Sequence, residues 1–230
     1  MEDYVIFTDS CCDVSPELLA KWGVPYANMT FSFDGEDKEY IGTDISNHDF
    51  YDRMRQGAHA RTAAINADTF ARAFTPILEE GKDILYVAFS SGLSTTVNSA
   101  HMAAEELKEQ HPDRKIVIVD TLAASAGGVL GIKPIMQMDE EGHLVKVSTA
   151  RGRKKAIEAL AEKYAELSYE EKNTPIFISN AEAENDAKQL ADILKQRHGV
   201  EVTLITEIGP VIGSHAGPGT IALFFIGKHR

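Results

Sequence analysis

The chain has 230 residues, with 23 Lys and Arg against 35 Asp and Glu, a formal net charge of −12. That length suits one large or two small domains, and 43% apolar with 25% charged residues excludes a disordered chain. The acidic balance argues against a nucleic-acid partner, which needs cationic surface to displace counterions from phosphates, and no run approaches the roughly 20 apolar residues of a transmembrane segment.

Tyr4-Val5-Ile6-Phe7-Thr8 reads as a buried strand, reached so soon that no secretory signal is expected. Ser15 as N-cap and Pro16 at the first position open a helix that Gly23 and Pro25 end. Ser46, with Asp49 three residues on, opens a second. A third puts Phe70, Phe74, Ile77 and Leu78 on one face, with a kink expected at Pro76. Ile84–Phe89 is a strand, Val97–Gln110 a helix with Val97, Ala100, Ala104 and Leu107 inward, and Ile116–Val119 the next strand. Strand, helix, strand at this spacing predicts a parallel sheet covered on both faces, an α/β fold.

The pattern changes after Gly127-Gly128. Ile132–Met138 and His143–Val147 flank Asp139-Glu140-Glu141-Gly142 as a hairpin. A helix bearing Ile157, Leu160, Tyr164 and Leu167 follows, then strand Pro175–Ser179, helix Asn185–His198, strand Val202–Thr206 and strand Thr220–Ile226. The expected architecture is an N-terminal α/β/α domain with a parallel sheet over residues 1–128 and a smaller α+β domain over residues 129–230. A cleft between them is the default binding site.

Cys11 and Cys12 are the only cysteines and are adjacent, too close for ordinary disulfide geometry, so both are expected as thiols in a reducing, cytoplasmic setting. No Cys or His spacing suits zinc, and no metal site is expected.

Three segments could carry chemistry. Ser90-Ser91-Gly92-Leu93-Ser94-Thr95-Thr96 lies between a strand end and a helix start, where free N–H groups and hydroxyls can hold a carboxylate or phosphate. Plain N-capping by Ser94 or Thr95 accounts for one hydroxyl but hardly for five in seven residues. The stretch from Ile208 to Thr220 has four glycines, two prolines and His215, and reads as a rigid loop. His215 could serve an anion or proton transfer, or be satisfied by backbone carbonyls in a turn. Arg151, Arg153, Lys154 and Lys155 sit where a helix dipole disfavours cations, so they face an anion or form a solvated basic patch. Asp9, Ser94 and His215 could be imagined as a hydrolase triad, but no G-x-S-x-G elbow is present, and nucleotide-binding motifs are missing too.

Taken in order, these segments resemble the DegV family of bacterial proteins, from Tyr4 to Phe225. The resemblance rests on Thr8-Asp9-Ser10 with Asp13, Arg61-Thr62, Ser90 to Ser94, Val119-Asp120-Thr121, Gly131-Ile132-Lys133-Pro134, Lys146 to Arg151, and Ile208 to Gly219. It implies a non-catalytic carrier that holds one long-chain fatty acid between two domains and presents the carboxylate to a separate fatty acid kinase for acyl phosphate formation. Beyond that ligand no cofactor is implied. The resemblance assigns the carboxylate to Thr62, Ser94, His215 and Arg151, and a supporting anion loop is expected at Ser91, Gly92, Thr95, Gly213 and Gly217. An enzyme or subunit acting on a phosphorylated small molecule, or a lipid-responsive regulatory module, are the alternatives.

The sequence also departs from the family pattern. Thr62-Ala63-Ala64-Ile65-Asn66 replaces a stretch usually continuing Ser-Gln-Pro-Ser, and Thr95 stands where glycine is common. The family carries a further segment of roughly fifty residues between Gly128 and Val129, well beyond an ordinary loop, that supplies helices and part of the tail cover.

Overall fold

The computed structural model describes residues 4–121, 132–139, 141–169 and 174–228. Strand β1 (Tyr4–Asp9) leads through a 3-10 turn into helix α1 (Pro16–Trp22). Ser15 Oγ accepts the Leu18 N–H at 3.3 Å, and Gly23 at φ 67° ends the helix in the left-handed conformation glycine favours. Short strands β2 (Tyr26–Ala27) and β3 (Thr30–Phe33) precede α2 (Asn47–Arg55), which Ser46 caps by accepting the Asp49 N–H at 3.0 Å. β4 (Ala60–Ala63) leads to α3 (Ala67–Glu79), capped by Asn66; the helix runs through Pro76 as one element, because the proline falls in its last turn. β5 (Asp83–Ala88), α4 (Thr96–Gln110) and β6 (Ile116–Asp120) complete this half.

β7 (Ile132–Met138) and β8 (Leu144–Arg151) form the hairpin, followed by α5 (Arg153–Leu167), β9 (Phe177–Asn180) and α6 (Glu184–His198). β10 (Leu204–Glu207), α7 (Pro210–Ala216) and β11 (Ile221–Phe224) close the chain. Two expectations are corrected. The stretch read as a rigid loop contains α7, because Gly209 is extended at φ −72° and Pro210 takes the first helical position, where its missing N–H costs nothing. Arg151 belongs to the end of β8, not to a helix, since α5 starts only after Gly152 turns the chain at φ 88°.

The fold is α/β with two domains. The first domain has a parallel sheet in the order β2-β1-β5-β6, and β3 and β4 form a separate antiparallel pair. In the second, β9 lies between parallel β10 and antiparallel β11. Strand alternation divides the parallel sheet: Phe7, Ile84, Tyr86 and Ala88 point to one face and are buried with Phe70 and Phe74 of α3 and Val97, Ala100, Ala103 and Leu107 of α4. Ala103 takes the inward place expected for Ala104. Phe7 and Phe74 meet edge to face at 5.0 Å between ring centres, and burying one such ring contributes roughly 2 kcal/mol. This core also receives Ile208, Val211, Ile212 and Ala216 from α7 and the residue leading into it. A second core lies between α5 and α6 and the Ile178 face of the β9 sheet, with Ile157, Ala161, Tyr164, Leu190 and Leu194.

Candidate functional site

The carboxyl ends of β1 and β5, where an open parallel sheet gathers ligands, meet the C-terminal domain here. Asp9, at the end of β1, is buried and accepts from Tyr86 Oη at 2.8 Å, Phe89 N at 2.9 Å and Cys11 N at 2.9 Å. Burial raises its pKa, while those hydrogen bonds act to lower it. With every neighbour spoken for, Asp9 does not orient a histidine, and the triad geometry is absent. Asp13, in the left-handed conformation at φ 54°, accepts the Gly209 N–H at 3.0 Å. Removal from water pushes its carboxyl up to about 7, and the nearby Asp9 charge adds to the rise.

The hydroxyls form two small sets. Thr62 on β4 and His215 on α7 are 3.0 Å apart, Oγ1 to Nε2, and either can donate according to the imidazole tautomer. Ser94 Oγ lies 2.8 Å from Thr96 Oγ1, and that same Thr96 oxygen accepts the Ile65 N–H at 3.3 Å. Ile65 follows Thr62 by three residues, so the turn leaving β4 ties the two sets together.

The expected open N–H groups are used within the protein. Ser91 N donates to Asp120 Oδ1 at 3.1 Å, Gly92 N to Ser90 Oγ at 3.2 Å, and Leu93 N and Ser94 N both to Ser90 O at 3.1 Å. Thr96 N donates to Ser94 Oγ at 3.2 Å. Ser91 and Gly92 therefore offer no backbone cradle, and Thr95 caps α4 with no side-chain cap bond. Gly92 has a packing reason instead: a Cβ there would meet Gly142 O at 2.7 Å, so the hairpin tip rests directly on this loop, and Ser90 Oγ donates to Gly142 O at 3.0 Å. Gly213 is likewise a packing glycine, because a Cβ would stand 2.5 Å from Tyr51 Oη, which donates to Ile208 O at 2.7 Å. Gly217 ends α7 at φ 77°.

Arg151 makes no bond to these groups among the described residues. It sits at the end of β8 opposite the hairpin tip, roughly 23 Å away along the strand, exposed and with no ion partner among the described residues. Its neighbour Arg153 is engaged, with Nε donating to Asp186 Oδ2 at 2.7 Å and Nη1 to Gly219 O.

A cavity of about 360 Å³ opens beside the acids. One wall comes from the first domain, with Thr8, Val14, Trp22, Val87 and Phe89, and the other from the second, with Phe177, Leu204, Phe224 and Ile212. Thr62 and Ser94 do not line it; the link is α7, where Ile212 faces the cavity and His215, three residues on, meets Thr62. Cys12 also lines it, and burial pushes its thiol up to about 11; Cys11 is buried with Sγ 3.1 Å from Met29 Sδ, and burial pushes its thiol well above the ordinary value. The cavity walls have no signature in the sequence, because they come from strands far apart in the chain.

Among the described residues, two side-chain groups have three potential metal ligands each, His48, Asp52 and Glu182, and Asp139, Glu141 and His143. In the first, Glu182 accepts from His48 Nδ1 at 2.6 Å and from Arg55, an ion-pair clasp between α2 and the turn after β9. That bond to Glu182 raises the His48 pKa. In the second, Asp139 Oδ1 accepts the turn's N–H groups of Glu141 and His143.

Comparison with known proteins gives one family. The family model described as "Uncharacterised protein, DegV family" matches residues 3–128 and 122–228, so the match divides at 122–128. A DegV domain-containing protein of Clostridium perfringens is 29% identical over 289 aligned residues, covering 100% of this chain and 99% of the relative. Against 230 residues here, more than fifty aligned positions of that relative face no residue of this chain. The expected break between Gly128 and Val129 lies outside the described residues. Among solved structures, a DegV family protein of Thermus thermophilus described as fatty acid binding superposes with a TM-score of 0.85 at 24% identity, covering 98% of this chain and 99% of its own. The Fatty Acid Kinase (Fak) B3 protein of Streptococcus pneumoniae, loaded with linoleic acid, has a TM-score of 0.81 at 18% identity, covering 97% and 99%.

Proposed function

From the premise that this chain belongs to the DegV family, we propose that it binds one long-chain fatty acid between its domains, residues 1–128 and 129–230, and presents the carboxylate to a partner fatty acid kinase. The observation that carries the reading is the apolar cavity between the two sheets, of the size of a small-ligand pocket. Its walls suit an acyl chain, for which burial contributes about 0.8 kcal/mol per CH₂. The fatty-acid-bound neighbours support the ligand class, and the Fak B3 neighbour supports the kinase.

The head group is read at Thr62, Ser94 and His215. Thr62 and His215 bond to each other, as do Ser94 and Thr96. A carboxylate arriving there accepts from both hydroxyls and from the imidazole, and charge-assisted bonds of that kind outweigh the neutral ones they replace. The N–H groups a phosphate would need are already bonded within the serine-rich loop, which disfavours a phosphorylated ligand. No residue is assigned bond-making chemistry; the chain buries the tail and exposes the head.

The test is mass spectrometry of an organic extract from natively purified protein. One fatty acid per chain is expected, with acyl phosphate appearing only when a cognate kinase subunit and ATP are added. Absence of lipid after soaking with several fatty acids would overturn the reading.

A further inference from the structure

The parallel sheet has one bare face. Alternation places Tyr4 and Ile6 of β1, Val87 of β5 and Val117 and Val119 of β6 on the side opposite α3 and α4. Register sets Ile6, Leu85 and Val117 in one row and Val87 beside Val119 in the next. Ile6 is 43% exposed, Val117 51% and Val119 44%, although parallel sheets are ordinarily covered on both sides. Right-handed crossovers from β1 to β2 and from β5 to β6 run in opposite directions, which among the described residues leaves only α1 for this face, and its Trp22 is 54% exposed.

The relatives indicate what this chain lacks there. The family match divides at 122–128, immediately after β6, and the Clostridium perfringens relative has more than fifty aligned positions with no counterpart here. The shortfall therefore falls next to the bare face.

We propose that a second copy of this chain covers the bare face and closes the adjoining cavity, so that the ligand site is complete only in a dimer. Three observations favour a second copy. Taken at ordinary whole-residue areas, the exposed fractions of Tyr4, Ile6, Trp22, Val87, Val117 and Val119 amount to roughly 600 Å², against the roughly 800 Å² per partner of a standard interface. The rows from Ile6 to Val119 contain no charged side chain, and Asp83, paired with Tyr4 in the row before them, is buried and accepts the Lys115 N–H at 3.0 Å, so two chains of net charge −12 can meet there without opposing exposed like charges. A two-fold axis brings a patch onto itself, and β6 is the outermost strand, so nothing of its own sheet stands in the way. Thr8 and Val87 extend the same face into the cavity, so a partner seated on it roofs the open side. What the closed cavity holds rests on the fatty-acid reading; the dimer does not.

The experiment is light scattering with size-exclusion chromatography on the natively purified chain, with lipid extraction of each peak. It is run beside Val117→Asp/Val119→Asp and the milder Val117→Thr/Val119→Thr, with circular dichroism as a check on folding. The expected results are twice 25.2 kDa for the parent and, for folded variants, monomers retaining at least ten-fold less lipid per chain. A dimer without lipid upholds this inference and overturns the fatty-acid reading. A monomeric parent overturns the dimer, whether it holds one fatty acid, holds none, or floats with phosphatidylcholine vesicles. A folded Asp or Thr variant that remains dimeric and lipid-loaded overturns it as well.

Discussion

Asp13 Oδ1 accepts the N–H of Gly209, 196 residues further along the chain, at 3.0 Å. One carboxyl thereby fixes the first loop of the N-terminal domain to the start of α7, at the edge of the apolar cavity.

Burial of this carboxyl, against which the Gly209 bond acts, makes stability depend on pH. The folded carboxyl holds its proton to about pH 7, against an ordinary value of 3.8, so between those values the folded chain binds the extra proton. Its contribution is complete below pH 3.8 and is lost as pH rises to about 7. At roughly 1.4 kcal/mol per pH unit across this interval, the loss is on the order of 4 kcal/mol. Asp13→Asn, which keeps the left-handed conformation accessible, should flatten this slope in urea titrations at pH 4.5, 6 and 7.5. Parallel slopes for parent and variant would show that Asp13 does not titrate in this window.

Removing either head hydroxyl should weaken lipid retention while leaving the fold intact. Ser94→Ala and Thr62→Val each lose one hydrogen bond to a charged group, worth about 1.5–3 kcal/mol, or roughly ten- to hundred-fold in affinity. Arg151→Ala, far along β8 from the serine-rich loop, should leave affinity within two-fold, about 0.4 kcal/mol. Displacement of a fluorescent fatty acid measures all three.

Gly213→Ala should cost about 1–3 kcal/mol, because the added methyl has no room beside Tyr51 Oη and Phe50. The urea midpoint should fall with an unchanged slope. Asp9→Ala should cost about 3 kcal/mol or more, since it strands the Tyr86 hydroxyl and two backbone N–H groups, and Tyr86→Phe about half as much.

Cys12 reports on cavity occupancy. With its thiol at about 11, alkylation by iodoacetamide at pH 7.5 should be slow, and it should be slower again in lipid-loaded than in delipidated protein. Equal rates in the two forms would mean that the ligand does not lie against Cys12.

The alternating strands and helices of both domains were legible because each has a local signal: Ser15, Ser46 and Gly23 act where their conformations are needed. α7 was missed because four glycines and two prolines outweigh, in composition, the one position where Pro210 starts a helix. β3 and β4, four residues each, are too short for periodicity to register. At the site, Thr62 and His215 meet as the family resemblance led one to expect, although 153 residues separate them. The open backbone cradle failed because Asp120 and Ser90 reach those N–H groups first, a tertiary fact with no local trace. Arg151 stands at the end of β8, away from the tip that touches the serine-rich loop, and no bond joins it to Thr62, Ser94 or His215 among the described residues.

The placement of α7 in the first core bears on the order of assembly during translation. Ile208, Val211, Ile212 and Ala216 are made about 200 residues after Phe7, yet they finish a core that it begins. Until they arrive, the aromatic cluster of the N-terminal half lacks one side, and Tyr51 has no Ile208 carbonyl to bond. Domains often complete themselves in the order they are synthesised. Here the domain made first waits for α7, so nascent chains arrested before residue 208 should be protease-sensitive throughout their N-terminal half.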